Sequence, residues 1–524
     1  MKHVLIYVIV ILVAFFSLGC NPKKENALTY MDDTKEEEIK YEVDQILLSK
    51  SFQSTEPYAE IITKSSEVKV LASLGLTESS GVNVNKVIKK NNEIFIHVKS
   101  VYNETDLKLA VPQVILNLNK LNLRKIEDLK FNIVNEDYRP LKIKIGLNEV
   151  LNKLQSHFKI SSVGSPIVNL TRLNDSILWN VSYNSIFDRD NSQIPLINLS
   201  ALIDANSGDI IESKKTFISS SIDEGNILDY ALDNFILYKK DKIDSDTNKI
   251  LEQLWYYDIS NKEKEMIFSS NTKILSAQYS NDLSYISVIE SDVDNKDLYI
   301  IPKEDKRAYK VYFEDKFNPT IMRWKDDNSI YLIENNKNKS IVYNYGIQNN
   351  ETNRIGVIDK DIEDCLVSDG LFLIVENSEG EYNRKITTTV DWKEFKSIDN
   401  GLSPQFIDKA KIAYLKKDEK VDITSLFIYS IKDNKIINEI NENIANFQVI
   451  SNNMITYVKK NNTHNNFTLS QYLLDTQKNT DITDLIADKF FLDPTRDTIY
   501  LNIVLPFEND QPELIYSINL SKLN

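Results

Sequence analysis

The sequence predicts a mainly β protein in which an N-terminal α+β region is followed by a β-propeller. The main observation is a repeat with a period in the forties, which runs from about residue 226 to the C-terminus. Each repeat also contains short segments of alternating apolar residues, bounded by Asn, Asp, Gly or Lys. A period of this length with several strands per unit is the signature of propeller repeats. Seven blades are favoured, and six are possible.

Residues 1–19 are predicted to be a signal peptide. The apolar run VLIYVIVILVAFF at 4–16 is too short to cross a hydrocarbon core of ~30 Å but has the length of a secretory h-region. The sequence SLGC at 17–20 resembles the lipobox of bacterial lipoproteins, although Ser and Leu stand in the reverse of the usual order. The resemblance implies that Cys20 carries the lipid and becomes the mature N-terminus. The alternative is an ordinary signal peptide and a free secreted protein.

The composition excludes several classes of protein. A net charge of -15 and a pI near 5.0 argue against nucleic-acid binding, which needs clustered Lys and Arg. With Cys20 acylated, the second cysteine, Cys365, has no partner for an internal disulfide, and we expect it to be buried. The abundance of Ile, Lys and Asn is typical of AT-rich bacterial genomes. We therefore expect a lipid-anchored protein on the extracytoplasmic face of the cell membrane of a Gram-positive bacterium.

The region before the repeat divides into two predicted parts. Residues 20–44 are the acylated cysteine and a polar tether, and residues 45–225 are an α+β region. Apolar residues between 39 and 47 fit both a helix and a strand, so the pattern leaves this choice open. The segment LNEVLNKLQSHF has apolar residues at helical spacing and predicts a helix, for which Asn148 could serve as the N-cap.

Part of this region, about residues 140–215, resembles the PepSY-type module of extracytoplasmic proteins. The resemblance rests on a helix, a Trp-containing strand, and a strand that runs into the pattern D-A-x-x-G-x-I. A plain hairpin turn is the alternative reading of the same segment. The resemblance implies a regulatory rather than a catalytic role. The matching residues are Trp179, Asp204, Ala205, Gly208 and Ile210.

Two series of aromatic residues mark the repeat. The first series has intervals of 47, 46, 41, 42, 43 and 43 residues, and a second series follows in the next strand of most units, where Thr388 is the exception. Large aromatic residues are expected where neighbouring blades pack together. Unrelated hairpins in a sandwich are the alternative. The pattern resembles the TolB or WD40-like propeller class. The first series is Tyr238, Tyr285, Tyr331, Phe372, Tyr414, Tyr457 and Tyr500; the second is Tyr256, Tyr299, Tyr343, Tyr429, Tyr472 and Tyr516.

The last repeat ends before a fourth strand can form. An open ring would leave an unpaired sheet edge near residues 513–520. We therefore expect a segment from residues 209–222 to supply the missing strand and close the ring.

The sequence offers no catalytic motif. His97, His157 and His464 are isolated, and neither H-E-x-x-H nor H-x-H occurs, so no metal site is predicted. Acidic loops at 187–191, 244–248 and 292–297 could hold calcium, but solvated acidic loops are the simpler interpretation. Nucleophile-elbow and phosphate-binding glycine patterns are missing from the sequence. We predict no cofactor and no catalytic residue.

The resulting hypothesis is a lipoprotein that binds, scaffolds or regulates a protein or glycan partner through its propeller, with the membrane contacted through lipid on Cys20. The alternative is an envelope glycan hydrolase or lyase with a carboxylate site in the propeller channel. Two or more converging carboxyl groups with raised pKa values would favour the enzyme. An apolar or mixed patch would favour binding.

Overall fold

The fold is taken from a computed structural model, which describes residues 36–50, 52, 54–64, 68–103, 107–118, 128–161, 166–191, 194–231, 235–245, 249–292, 295–313, 317–336, 338–377, 382–461, 467–495, 497–504 and 513–523. The predicted signal peptide, Cys20 and His464 lie outside these residues. The chain divides into two compact units, Met1–Lys142 and Ile143–Asn524.

The first unit contains two sheets, mainly antiparallel, that pack around a common core. One sheet has the order β1-β6-β7-β9, in which β7 and β9 are parallel, and the other has the order β2-β8-β4-β3, with β5 also paired to β8. The segment that fitted both a helix and a strand contains β2. The strands are β1 (Glu37–Glu38), β2 (Glu42–Ser49), β3 (Tyr58–Lys64), β4 (Val68–Ser73), β5 (Thr77–Ser79), β6 (Gly81–Lys90), β7 (Glu93–Val101), β8 (Lys108–Asn117) and β9 (Lys130–Asn135).

The core of this unit is formed by alternating residues of both sheets. Val70, Ala72, Ile94 and Ile96 are fully buried within it. Their period of two is the one that β-strands with one buried face require.

The predicted helix is α1 (Leu147–Phe158). Its N-cap is Gly146, so the expected N-cap, Asn148, is wrong and lies inside the first turn. Val150 and Leu154 are its buried residues, which lie one turn apart on one face. Among the described residues, no helix is long and apolar enough to cross a membrane. The helix is followed by an antiparallel sheet with the order β10-β12-β13-β14, to which β11 adds by pairing β12. These strands are β10 (Ile160–Ser161), β11 (Ile167–Leu173), β12 (Ser176–Asp188), β13 (Leu196–Asp204) and β14 (Ile210–Phe217).

The residues of the PepSY-type pattern lie in this sheet. Trp179 is fully buried, and its indole N–H donates to the carbonyl oxygen of Ile145 at 3.0 Å. Asp204 ends β13, where one carboxylate oxygen accepts the backbone N–H groups of Asn206 and Ser207, both at 2.8 Å. These hydrogen bonds lower the pKa of Asp204. Gly208 has φ +76°, the left-handed conformation that completes the turn.

Six sets of strands and a closing sheet follow, and together they form the β-propeller. The first, second, third and sixth sets are four-stranded antiparallel meanders. The first is β16 (Asn226–Ala231), β17 (Phe235–Ile243), β18 (Ile250–Asp258) and β19 (Glu263–Ser270); the second is β20 (Lys273–Tyr279), β21 (Tyr285–Ser291), β22 (Lys296–Pro302) and β23 (Tyr309–Lys310); the third is β24 (Ile321–Asp326), β25 (Ser329–Asn335), β26 (Ser340–Gly346) and β27 (Glu351–Ile358).

The fourth and fifth sets of strands share one continuous strand. Residues 396–401 of this strand pair with β30, whereas residues 402–408 pair with β32, which gives one seven-stranded sheet. The count of seven blades therefore stays a prediction. The strands are β28 (Ile362–Ser368), β29 (Leu371–Glu376), β30 (Arg384–Thr389), the shared β31 (Lys396–Asp408), β32 (Lys411–Asp418), β33 (Ile423–Ser430) and β34 (Lys435–Ile440); the sixth set is β35 (Ile444–Ser451), β36 (Met454–Lys460), β37 (Phe467–Leu473) and β38 (Lys478–Leu485).

A closing sheet combines strands from both ends of the propeller. Its order is β15-β41-β40-β39, and β15 (Ser219–Glu224) supplies the outer strand through pairs such as Ser219 with Ile518. The expected closing strand is thus confirmed, but it begins later than the predicted segment, because Ile210–Phe217 pairs with β13 instead. The remaining strands are β39 (Phe490–Asp493), β40 (Thr498–Ile503) and β41 (Leu514–Asn519), and a 3-10 turn, Leu520–Lys522, follows them.

The core of the propeller lies between consecutive sheets. Leu237 of the first sheet packs with Val288 of the second, and the same kind of cluster recurs at each later boundary. The closing sheet packs back on the first, where Ile515 contacts the cluster of Ile236 and Tyr238. The ring of described sheets is therefore continuous.

The residues of the first aromatic series do not all face the same neighbouring sheet, although each lies on the second strand of its own set. Tyr238 packs at the boundary with the preceding sheet, as Phe372, Tyr414 and Tyr457 do. Tyr285, Tyr331 and Tyr500 pack towards the following sheet, and Tyr331 lies 4.8 Å from Phe372 between ring centroids. The alignment predicted from the sequence is wrong there, because a shift of one residue in a strand turns the side chain to the opposite face.

Candidate functional site

Polar side chains on the first strands of several sheets connect them to the first strand of the next sheet. The carboxylate of Asp229 in β16 accepts the backbone N–H of Tyr279 in β20 at 2.8 Å. Gln405 in β31 binds the backbone of β35 through both side-chain atoms, each at 3.0 Å. Gln448 in β35 accepts the backbone N–H of Leu492 in β39 at 2.9 Å. These contacts give the inner strands a structural reason to carry polar residues.

Two carboxyl groups near the channel lie close to one guanidinium group. Arg323 forms an ion pair with Asp364, and its charge also acts on Asp229. Burial raises the pKa of Asp229, and the lowering by backbone N–H groups and by Arg323 is too small to reverse this. Asp364 is thus engaged by Arg323, and Asp229 by two backbone N–H groups.

The residues considered for metals and nucleophiles have ordinary roles where the structure describes them. Nδ1 of His97 lies 3.1 Å from a carboxylate oxygen of Glu136, and His157 is in the last turn of α1. Cys365 is buried, which raises the pKa of its thiol to about 12. Within the described ranges, no group of three or more His, Cys, Asp or Glu side chains could hold a metal ion.

Two of the three acidic loops considered for calcium engage lysine side chains. Asp188 lies 2.7 Å from the Lys215 ammonium group, and Asp297 lies 2.7 Å from that of Lys310. Residues 246–248 and 293–294 of these loops lie outside the described residues, as Cys20 and His464 do.

A repeated contact between an acid, a tyrosine and a lysine was not predicted from the sequence. In three units, a tyrosine of the second strand donates to a carboxylate that precedes it by 15 residues, and a lysine two residues after the tyrosine pairs with the same carboxylate. The spacing itself was available as a signal. The three sets are Asp223, Tyr238 and Lys240; Asp399, Tyr414 and Lys416; and Glu442, Tyr457 and Lys459.

A cleft between the first and second sheets has the features of a binding site. We call it the aromatic cleft; it is shallow, with a volume of about 20 Å³. It opens beside the ends of β17, β20 and β22, and its floor is apolar because each bordering strand turns a buried hydrophobic face towards the neighbouring sheet. The lining consists of Phe235, Tyr256, Ile267, Tyr279, Ile286, Ile301, Pro302, Lys303 and Lys306.

Three aromatic rings and two cations shape this cleft. The ring of Phe235 meets that of Tyr256 edge-on, with centroids 5.6 Å apart, and lies 6.2 Å from that of Tyr279. The Lys303 ammonium group is 4.1 Å from the centroid of Phe235, and that of Lys306 is 5.9 Å from the centroid of Tyr256. Cations over aromatic faces hold the rim by cation–π attraction.

The polar groups around the cleft differ in their hydrogen bonding. Tyr256 donates to Glu265 at 2.7 Å, and Lys306 lies 2.6 Å from the same carboxylate. The hydroxyl group of Tyr279 is buried, and within the described part of the chain it has no hydrogen-bond partner. Burial, together with the charge of Asp229, raises the pKa of Tyr279, so this hydroxyl stays protonated.

Comparisons with known proteins show similarity of fold only. No known protein family matches the sequence, and no curated protein matches it. An oligogalacturonate lyase from Vibrio parahaemolyticus is 10% identical, with 62% of this chain and 97% of that chain covered and a TM-score of 0.45. TolB from Acinetobacter baumannii is 12% identical, with 69% of this chain and 88% of that chain covered and a TM-score of 0.34. The β-propeller domain of the Trilobed protease from Pyrococcus furiosus is 13% identical, with 61% of this chain and 96% of that chain covered and a TM-score of 0.37.

Proposed function

We propose that this chain is an extracytoplasmic lipoprotein, anchored through Cys20, whose propeller binds a protein partner at the aromatic cleft. The observation that carries the proposal is the apolar lining of the cleft, where the rings of Phe235, Tyr256 and Tyr279 meet. Apolar and aromatic surface of this kind is where protein interfaces bury their anchoring side chains.

The chemistry of the cleft favours a polypeptide partner. Its apolar floor is shallow and suits surface contact with an apolar side chain, which is the usual anchor of a protein interface. Lys303 is exposed at the rim, where its charge also acts on Asp258. A carboxylate next to the anchoring side chain would complement this cation. We therefore expect a segment with an apolar anchor and a neighbouring acidic group.

The N-terminal sequence supports the location, and the sheet before the propeller supports the regulatory role. The SLGC segment at 17–20 has the features of a lipobox, and a bacterial lipoprotein of this type lies on the extracytoplasmic face of the membrane. The resemblance of residues 140–215 to PepSY-type modules is consistent with regulation of the bound partner. The channel geometry does not favour the alternative of a glycan hydrolase or lyase, because Asp229 and Asp364 are already engaged.

Site-specific photo-crosslinking in the native envelope tests the proposal. A photoreactive residue at Lys303 is expected to give a discrete protein adduct that disappears when Phe235→Ala is added. The control places the same residue at Lys409, an exposed lysine of the fifth set of strands that lies away from the cleft. Equal adducts from both positions, or none from Lys303, would contradict the proposed binding site.

A further inference from the structure

A second concave surface lies between the second and third sheets of the propeller, away from the aromatic cleft. We call it the Tyr312 groove; its volume is about 380 Å³. One wall carries four aromatic residues, Tyr312, Phe313, Phe317 and Tyr343, and another wall is the polar segment 350–353. A groove with an aromatic wall and a polar wall can bind a ligand that has apolar faces and polar edges.

The aromatic wall is ordered by ring contacts. Phe317 meets Phe313 at 4.7 Å and Tyr343 at 4.6 Å between centroids, both in edge-to-face geometry. These contacts fix the rings without using the side chain of Tyr312, which is 78% exposed. Most tyrosines of the first aromatic series are buried in the core, so the exposure of Tyr312 calls for a different explanation.

The polar wall presents amide, carboxylate and hydroxyl groups side by side. Asn350 accepts from the hydroxyl of Tyr345 at 2.9 Å, which fixes its amide and leaves its N–H groups available. Asn349 donates to Glu351 at 2.9 Å. Thr352 is half-buried and Asn353 is exposed, and both line the groove. The wall therefore offers donors as well as acceptors.

We propose that the Tyr312 groove binds a neutral oligosaccharide. The C–H faces of a sugar ring pack on an exposed aromatic ring, and its hydroxyl groups need a row of mixed donors and acceptors, which residues 350–353 provide. Glu351 and the net charge of -15 disfavour an acidic saccharide. This inference is independent of the protein partner at the aromatic cleft.

Calorimetric titration of the soluble chain, residues 36–524, tests the inference. The probes are chitotetraose and cellotetraose as neutral saccharides, and tetragalacturonate as an acidic one. At least one neutral saccharide is expected to bind at millimolar concentration or below. Failure of both to bind at millimolar concentration, or tighter binding of tetragalacturonate, would overturn the inference.

Point variants locate the site. Tyr312→Ala is expected to weaken binding about tenfold, because the contact of one aromatic ring contributes up to roughly 1.5 kcal/mol. Asn353→Ala is expected to weaken it as well. Tyr309→Ala is the matched control, since Tyr309 is also exposed but lies outside the groove. Equal affinity of the Tyr312 and Tyr309 variants would overturn the assignment of the groove.

Discussion

At the scale of single residues, Asp399 shows how the propeller keeps a charge in a partly buried position. Burial raises its pKa, but hydrogen bonds from Lys416 and Tyr414 outweigh that effect and hold the pKa below its ordinary value. Tyr414 donates at 2.6 Å, and Lys416 lies 2.9 Å away. The same arrangement at Asp223 and Glu442 makes the contact a repeated element of stability between neighbouring sheets.

Tyr414→Phe is expected to lower the free energy of unfolding by about 2 kcal/mol near neutral pH, because a charge-assisted hydrogen bond is lost. Since the pKa of Asp399 is lower in the folded protein, its contribution is present above the unfolded value of about 3.9 and is lost as the pH falls. The difference between variant and wild type should therefore narrow in acid.

Urea denaturation across this pH range measures the effect. Tyr309→Phe is the control, because Tyr309 donates to Asp305 at 2.8 Å from an exposed position, where the loss should stay below about 0.5 kcal/mol. A Tyr414→Phe effect as small as that of the control, or one that grows in acid, would contradict this description.

Cys365 is expected to be unreactive in the folded protein. Its side chain is buried, so a reagent cannot reach the sulfur atom. Burial also raises the pKa of the thiol to about 12, so the reactive thiolate form is scarce. In the soluble chain of residues 36–524, which contains no other cysteine, a thiol reagent should label it only after denaturation. Ser220→Cys provides an exposed thiol as the control. Labelling of Cys365 at the rate of that control would refute the assignment.

At the scale of elements, β15 is the strand that closes the propeller ring, a role that the sequence could only suggest. It pairs with β41 and continues through Gly225 directly into β16. Gly225 has φ +131°, and a Cβ there would lie 2.4 Å from the carbonyl oxygen of Lys239. Gly401, two residues after Asp399, has an equally close approach to Tyr414 and Leu415. A glycine is needed where the chain passes this closely from one sheet to the next.

Ile222→Ala is expected to destabilise the propeller by about 2–4 kcal/mol, because Ile222 fills the core between the closing sheet and the first sheet. Ser220→Ala, on the same strand but exposed, should change the free energy of unfolding by less than about 0.5 kcal/mol. Chemical denaturation of both variants measures the difference. If they are equally stable, β15 does not contribute to closure of the ring.

Element types were easier to predict than the faces of their side chains. The helix over 147–158 and the strand pattern of the repeats were predicted from periodicity and are confirmed. The sheet faces on which Tyr285, Tyr331 and Tyr500 lie were not predicted correctly. Alternation assigns residues to two faces of a strand, but it does not show which neighbouring sheet each face packs against. The spacing between Asp399 and Tyr414 was visible, but only the sheet crossing shows that they touch.

At the scale of the whole molecule, the candidate sites arise between sheets, where the sequence is least informative. Tyr256 belonged to the second aromatic series, but Phe235 and Tyr279 were not singled out. They meet because the ends of β17 and β20 lie in consecutive sheets. Pairing within a sheet follows from local patterns, whereas packing between sheets depends on twist and on side-chain volume across the boundary.

The proposed lipid anchor can be tested separately from the propeller. Cys20→Ala is expected to move the protein from the membrane fraction to the soluble fraction, because at least two acyl chains are needed for stable attachment and the variant has none. Fractionation with labelled fatty acid measures both location and acylation. Membrane retention of an unlabelled Cys20→Ala variant would show that another feature holds the protein there.

The most direct test of the central claim is saturable binding of the soluble chain, residues 36–524, to native envelope from the source bacterium. We predict saturable sedimentation with the envelope, loss of this binding in Phe235→Ala and after protease treatment of the envelope, and unchanged binding in Lys409→Ala. Binding that is equal in Phe235→Ala and wild type, or that survives protease treatment, would contradict a protein partner at the aromatic cleft.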